Sequence, residues 1–313
     1  VPASPDLASP APATPASTPA ALPASALAVP DGEGWRAWWH ADRAPARWGG
    51  ALEAVAGAVR WRQGAPGVEV GELRLAGTGE ARRLRVIVVR VDPRRARMRL
   101  DADVAPDGRA RPWTVGAAPG GALVALNAGQ FTRFGPWGWV VQAGRELAPP
   151  GRGPLAPAVV VDSQGAVRIV PPDSIAAVRA AGGVREAFQS YPALLLGDGA
   201  VPLPLQGRGR GLDVGHRDAR LALGTLADGR VLVALTRFEG LGGVLDVLPL
   251  GPTVPEMAAV MGALGARRAV LLDGGISGQL LVREPAGAAG RAARTQAWEG
   301  LRAVPLGLVV VPR

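Results

Sequence analysis

A chain of 313 residues holds one large domain or two ordinary ones, and its 48% hydrophobic content can furnish a sizeable core. Cysteine is absent, which excludes a disulfide framework, a thiolate zinc site and a cysteine nucleophile. With only His40 and His216, a multi-histidine metal site is not expected either. The formal charge is +9, and with no lysine in the chain every cation other than histidine is arginine. The runs at Arg82, Arg83 and Arg85, at Arg94 to Arg99 and at Arg267 and Arg268 read as solvated faces or as a nucleic-acid footprint. Neither an aromatic-rich strand nor a helix-turn-helix pattern adjoins them, and no nucleic-acid partner is expected.

Residues 1–31 are Pro, Ala, Ser and Thr with almost no charge. They are expected to form a disordered tether, because such a segment has little to bury and its prolines lack backbone donors. The chain begins at Val1 rather than Met, as after removal of a signal peptide or lipoprotein leader, or as in a piece taken from a longer chain. No run reaches the roughly 18 apolar residues of a membrane span. Residues 32–83 carry Trp35, Trp38, Trp39, Trp48 and Trp61, with a short helix expected over 52–59. This piece either packs on the main domain or offers a sugar-stacking surface.

From about residue 68 the pattern is strand-like. Leu84 to Val91 is a β-branched run closed by Asp92-Pro93. Further strands are expected at 123–126, 137–141, 158–161, 167–170, 221–223, 231–235, 269–272, 280–282 and 306–311, with Asp228-Gly229 as a hairpin turn. Helices are few. One is expected over 173–188. The clearest spans 254–264: Thr253 and Glu256 form a capping box, Met257, Val260, Met261 and Leu264 make an apolar stripe, and Gly265 stops it. Many strands and few helices specify an α+β fold of mixed, largely antiparallel sheets packed with a few helices.

Three units can carry chemistry. After the strand 269–272 comes Asp273-Gly274-Gly275-Ile276-Ser277-Gly278-Gln279. Here a carboxylate at a strand end is followed by glycines that allow positive φ and close ligand approach, and Ser277 and Gln279 supply polar groups. The plain alternative is a tight turn with Asp as turn former. Asn127-Ala128-Gly129-Gln130-Phe131 likewise puts a polar side chain at a strand end. In Arg217-Asp218-Ala219-Arg220, Arg220 enters a strand from a loop, where a guanidinium can hold a phosphate or simply lie exposed. No nucleophile elbow, Walker A loop or dinucleotide fingerprint is present.

Taken in order, these blocks resemble the phosphodiester glycosidase family, which includes exported bacterial branches. Asn127-Ala128-Gly129-Gln130-Phe131 resembles its Asn-Gly/Ala-Gly-x-Phe block. Gln189-Ser190-Tyr191-Pro192-Ala193-Leu194 resembles Gln-x-Gly-Pro-x-Leu, and Arg220-Leu221-Ala222-Leu223-Gly224 resembles Arg-Thr-Ala-Ile-Gly. The helix with Thr253 and Glu256, followed by Asp273-Gly274-Gly275-Ile276-Ser277, resembles its closing helix and Asp-Gly-Gly-Gly-Ser. The likeness covers about residues 84–311, with departures at Tyr191, Leu221 and Ile276.

The resemblance implies a glycosidase-like domain over 84–313 that hydrolyses a sugar-1-phosphodiester in a glycan or cell-envelope polymer. It implies no cofactor and an exported location: periplasmic, envelope-anchored or secreted. A non-catalytic glycan- or phosphosugar-binding module on the same fold is the alternative. Asp273, Arg220, Asn127 and Glu256 are the expected catalytic residues, although capping by itself explains Glu256. Ser277, Gln279, Gly129, Gly274, Gly275 and His216 are expected to bind substrate. Trp137 and Trp139 stack on sugar or belong to the core.

Overall fold

The computed structural model describes residues 24–32, 34–105, 109–208, 212–240, 248–286 and 292–313. Its centre is a seven-stranded sheet in the order Ala193–Leu195, Ala266–Leu271, Leu221–Leu226, Val231–Phe238, Leu84–Val91, Val68–Leu75, Arg60–Ala65. All its pairings are antiparallel.

Alternation along these strands builds two cores. Ile87, Val89 and Val91 face one side with Leu221, Leu223 and Val270. Leu84, Val86 and Val88 face the other with Ala222, Ala269 and Leu271. Both faces are covered, and for this reason Leu84–Val91 is apolar almost throughout.

The first face packs on two five-stranded sheets. One runs Arg294–Trp298, Leu280–Glu284, Val124–Asn127, Gly307–Pro312, Ala96–Asp101. The other runs Arg145–Ala148, Val140–Gln142, Val184–Gln189, Ala158–Asp162, Val167–Val170. The second face packs on the helix Val254–Ala263 and on the tryptophan-rich segment. The helix has the expected capping box, with the Thr253 hydroxyl accepting from Glu256 N–H and Glu256 accepting from Thr253 N–H. It is buried on every side rather than along one stripe, because the Trp48 ring lies against Gly262 on its outer face. Gly265, at φ +94, ends it.

Several boundaries differ from expectation. Of the stretch expected as a tether, residues 1–23 lie outside the described residues. Ala26–Asp31 is a strand paired with Gly34–His40, in which Leu27 and Val29 are fully buried. Strands Arg60–Ala65 and Val68–Leu75 belong to the central sheet, so a division at residue 83 falls between two strands paired along their length. The helix expected over 173–188 is the short Ile175–Ala181. Gly182 and Gly183, both at positive φ, break it, and Val184–Gln189 continues as a strand. The helix expected over 52–59 is reduced to Glu53–Ala56.

The strand expected over 137–141 splits at Gly138, at φ +80. Gly135–Trp137 pairs with Gln130–Thr132, and Val140–Gln142 joins the second five-stranded sheet. The break separates the two tryptophans. Trp139 is buried and donates to the Glu146 carboxylate at 3.0 Å, whereas Trp137 lines a cavity of about 800 Å³.

Candidate active site

The cavity measures about 800 Å³ and lies where the Asn127, Arg220 and Asp273 strand ends come together. Leu272 N–H donates to Leu221 C=O at 2.8 Å, and Gly275 N–H to Ala219 C=O at 2.7 Å. These bonds lay the loop 273–279 alongside residues 218–220. Such contact requires glycine: a Cβ on Gly274 would strike the Ala219 carbonyl, and one on Gly275 would stand 2.7 Å from the Asp218 carboxylate.

Asp273, Arg220, Gly274, Gly275 and His216 line the cavity. Asn127, Glu256, Ser277, Gln279 and Gly129 do not, and each has a supporting contact instead. Asn127 is fully buried; its Nδ2 donates to Asp273 C=O at 2.7 Å and its Oδ1 accepts from Gln279 N–H at 2.9 Å. One amide thus ties both ends of the loop. Gln279 accepts from Val115 N–H at 2.8 Å, and Gly129, at φ +65, lies against the Gln189 carbonyl. Asn127→Ala would leave a buried N–H and a buried C=O unpaired, at about 1–3 kcal/mol each. Urea unfolding is expected to show a loss of about 2–4 kcal/mol; an unchanged midpoint would mean that other groups hold the loop.

Glu256 is also fully buried and forms a two-pronged ion pair with Arg217, at 2.7 and 2.9 Å. It therefore anchors the chain just before Asp218. Arg220 donates from Nε to Pro252 C=O at 3.1 Å and from Nη2 to His216 C=O at 2.7 Å. Its Nη1 has no acceptor among the described residues. His216 stands exposed at the rim, its Nε2 3.8 Å from Asp218 Oδ2.

Among the lining residues absent from the sequence-based set, Asp218 and Arg302 stand beside Arg220 and Asp273. Arg302 donates from Nε to Ser277 Oγ at 2.8 Å and from Nη2 to Asp273 Oδ2 at 3.2 Å, while the Ser277 hydroxyl also bonds Asp273. Ser277 is thus a bridge between the carboxylate and its counter-ion. Asp218 was legible as a neighbour of Arg220. Arg302 sits in a stretch without any pattern, and only the fold brings it to Asp273.

Burial pushes the Asp273 carboxyl above the ordinary aspartate range, against the pull of Ser277 and Arg302. Burial raises Asp218 as well; Arg220, the Ala219 N–H and His216 offset this incompletely, and Asp273 adds repulsion. Asp218 Oδ1 is a buried oxygen with no hydrogen-bond partner among the described residues. Where a folded carboxyl has the higher pKa, the native state binds more protons than the unfolded one, and stability falls as pH rises through that window. Asp218→Asn removes the cost. Its Tm is expected to exceed that of the wild type by a few degrees at pH 8, with the gain gone below about pH 3.9, the ordinary aspartate pKa. Calorimetry at both pH values checks this, and a destabilised variant at pH 8 would contradict it.

The departures from the family blocks fall in different places. Tyr191 and Ile276 line the cavity, and the Tyr191–Pro192 peptide is cis. Leu221 is fully buried in the core between the sheets.

The sequence profile of the family described as phosphodiester glycosidase matches residues 120–311, and the chain belongs to that family. Among solved structures it is similar to the catalytic domain of zebrafish N-acetylglucosamine-1-phosphodiester alpha-N-acetylglucosaminidase auto-inhibited by its pro-peptide. That likeness has 16% identity and a TM-score of 0.57, covering 84% of this chain and 87% of the other. A hypothetical protein from Synechocystis gives 17% identity and a TM-score of 0.49 over 79% of this chain and 62% of the other. No curated protein matches by sequence.

Proposed function

We propose that the chain hydrolyses a sugar-1-phosphodiester, releasing the free sugar and a phosphomonoester. The observation that carries this reading is that two desolvated carboxylates, Asp273 and Asp218, share one cavity with the partly unbonded guanidinium of Arg220. Water adds at the anomeric carbon, the bond from that carbon to the bridging oxygen breaks, and its electron pair leaves with the phosphate.

Each group has a role in that step. Asp273, held by Ser277 and Arg302, stabilises the oxocarbenium-like sugar. Asp218 accepts the proton of the attacking water, a task suited to a carboxylate whose pKa is raised. Arg220 neutralises the charge that develops on the departing phosphate. Asn127, Gln279 and Glu256 act by positioning, and Trp137 and Tyr191 supply aromatic surface for the sugar.

We further propose that the substrate is a glycan or envelope polymer outside the cytoplasm. The Pro/Ala-rich N-terminal sequence supports this as a tether, and residues 84–313 carry the catalytic groups on a central sheet that also includes the strands Arg60–Ala65 and Val68–Leu75. Among the described residues no helix is long and apolar enough to cross a membrane. The test is incubation of the purified chain with a sugar-1-phosphodiester, followed by 31P NMR. Conversion of the diester signal to a monoester signal is expected. Saturable binding with no product would instead favour a non-catalytic glycan-binding module, a reading that the bulk of Ile276 and Tyr191 in the cavity motivates.

A further inference from the structure

A second cavity, of about 440 Å³, shares no residue with the first. It lies where the two five-stranded sheets meet. Ala96–Asp101 is the edge strand of one sheet, and its Leu100 is not left unpaired there. Glu186 Oε2 accepts from Leu100 N–H at 3.2 Å and Gln142 Nε2 donates to Leu100 C=O at 3.4 Å, so two side chains continue the ladder. Glu186 also accepts from Ala143 N–H at 3.3 Å and is buried.

The remaining wall is cationic: Arg99, Arg145 and Arg185, from three different strands. None of their guanidinium groups makes a salt bridge or side-chain hydrogen bond among the described residues. Glu186 supplies a single negative charge, and its Oε2 accepts from the Leu100 and Ala143 N–H groups. Two positive charges are therefore left in excess. Three guanidiniums around one concavity repel one another, and an oxyanion with several acceptor oxygens relieves that repulsion through charge-assisted bonds.

We propose that Arg99, Arg145 and Arg185 form a phosphate-binding site, separate from the catalytic cavity and independent of the reaction assigned to it. The ligand is a phosphate oxyanion, either free or carried on a polymer.

The test is amide NMR of Leu100, Ala143 and Gly144 during titration with inorganic phosphate, and separately with a glycerol-phosphodiester oligomer, at constant ionic strength. Saturable shifts at these amides are expected in the wild type. In Arg145→Ala/Arg185→Ala the affinity is expected to fall at least tenfold, with the rest of the spectrum unchanged because both side chains are exposed. Arg99→Ala, on the opposite sheet, is expected to weaken binding in the same direction. Tighter binding of the oligomer assigns the site to polymer phosphates, and tighter binding of inorganic phosphate assigns it to the free ion; either upholds it. Absence of saturable shifts with both probes, or equal affinity in all variants, overturns it.

Discussion

Asp273→Asn is expected to lower kcat/KM on a sugar-1-phosphodiester by about 10³-fold or more, which corresponds to about 4 kcal/mol of transition-state stabilisation. The substitution keeps the shape of the side chain and removes its charge. The Asn127 bond is to the Asp273 carbonyl, so the loop stays tied in the variant. What is lost is the negative charge beside the developing oxocarbenium, an interaction made chiefly in the transition state. The loss is therefore expected in kcat, with KM nearly unchanged. Steady-state kinetics with matched calorimetry checks this. A variant that retains full kcat would remove Asp273 from the chemistry, and a variant that loses its fold would show in the melting curve.

The second large effect is on stability. Glu256→Ala is expected to cost about 3–5 kcal/mol, the range for removing one partner of a buried ion pair. Two losses coincide at this position. The Arg217 side chain, 15% exposed, is left without its carboxylate, and Thr253 N–H loses the acceptor that completes the capping box. Because Arg217 precedes Asp218 directly, activity should fall as well, but through misplacement of Asp218 rather than loss of a reacting group. Urea unfolding of Glu256→Ala, Arg217→Ala and the double variant separates the contributions. A coupling near zero would show that the pair contributes nothing beyond the cap. The contrast with Asp273 is the useful part: one carboxylate costs stability to keep charged, and the other holds the fold together.

Much of the fold was readable because its signals are local. The β-branched run Leu84–Val91, the Asp228-Gly229 turn and the Thr253–Glu256 capping box each depend on neighbours within a few residues, and each appears as expected. Glycine pairs were harder to weigh. Gly182-Gly183 converts a helical pattern into a strand, and Gly138 divides one apparent strand into two, because positive φ ends a repeat whatever the flanking side chains prefer. The strand Ala26–Asp31 was hidden by its proline-rich surroundings; it forms because Leu27 and Val29 find a core supplied by distant residues.

The sequence by itself marked the Asp273 loop, the Asn127 strand end and the Arg220 strand end, each by its own short-range pattern, and the order of these blocks carried the family resemblance. It also determined the closing helix with its cap. Only the tertiary structure decided what each polar residue does. Asn127, Gln279 and Glu256 have the composition of catalytic groups, yet their hydrogen bonds run inward to backbone and partner side chains. Asp218 is only a neighbour of Arg220 in its block and Arg302 carries no motif, yet they stand beside Arg220 and Asp273 in the cavity. The physical reason is that a side chain's role depends on which partners satisfy it and how much water it keeps. Antiparallel pairing between residues as far apart in sequence as Ala96 and Pro312 sets both of these properties, and no short window of sequence contains that information.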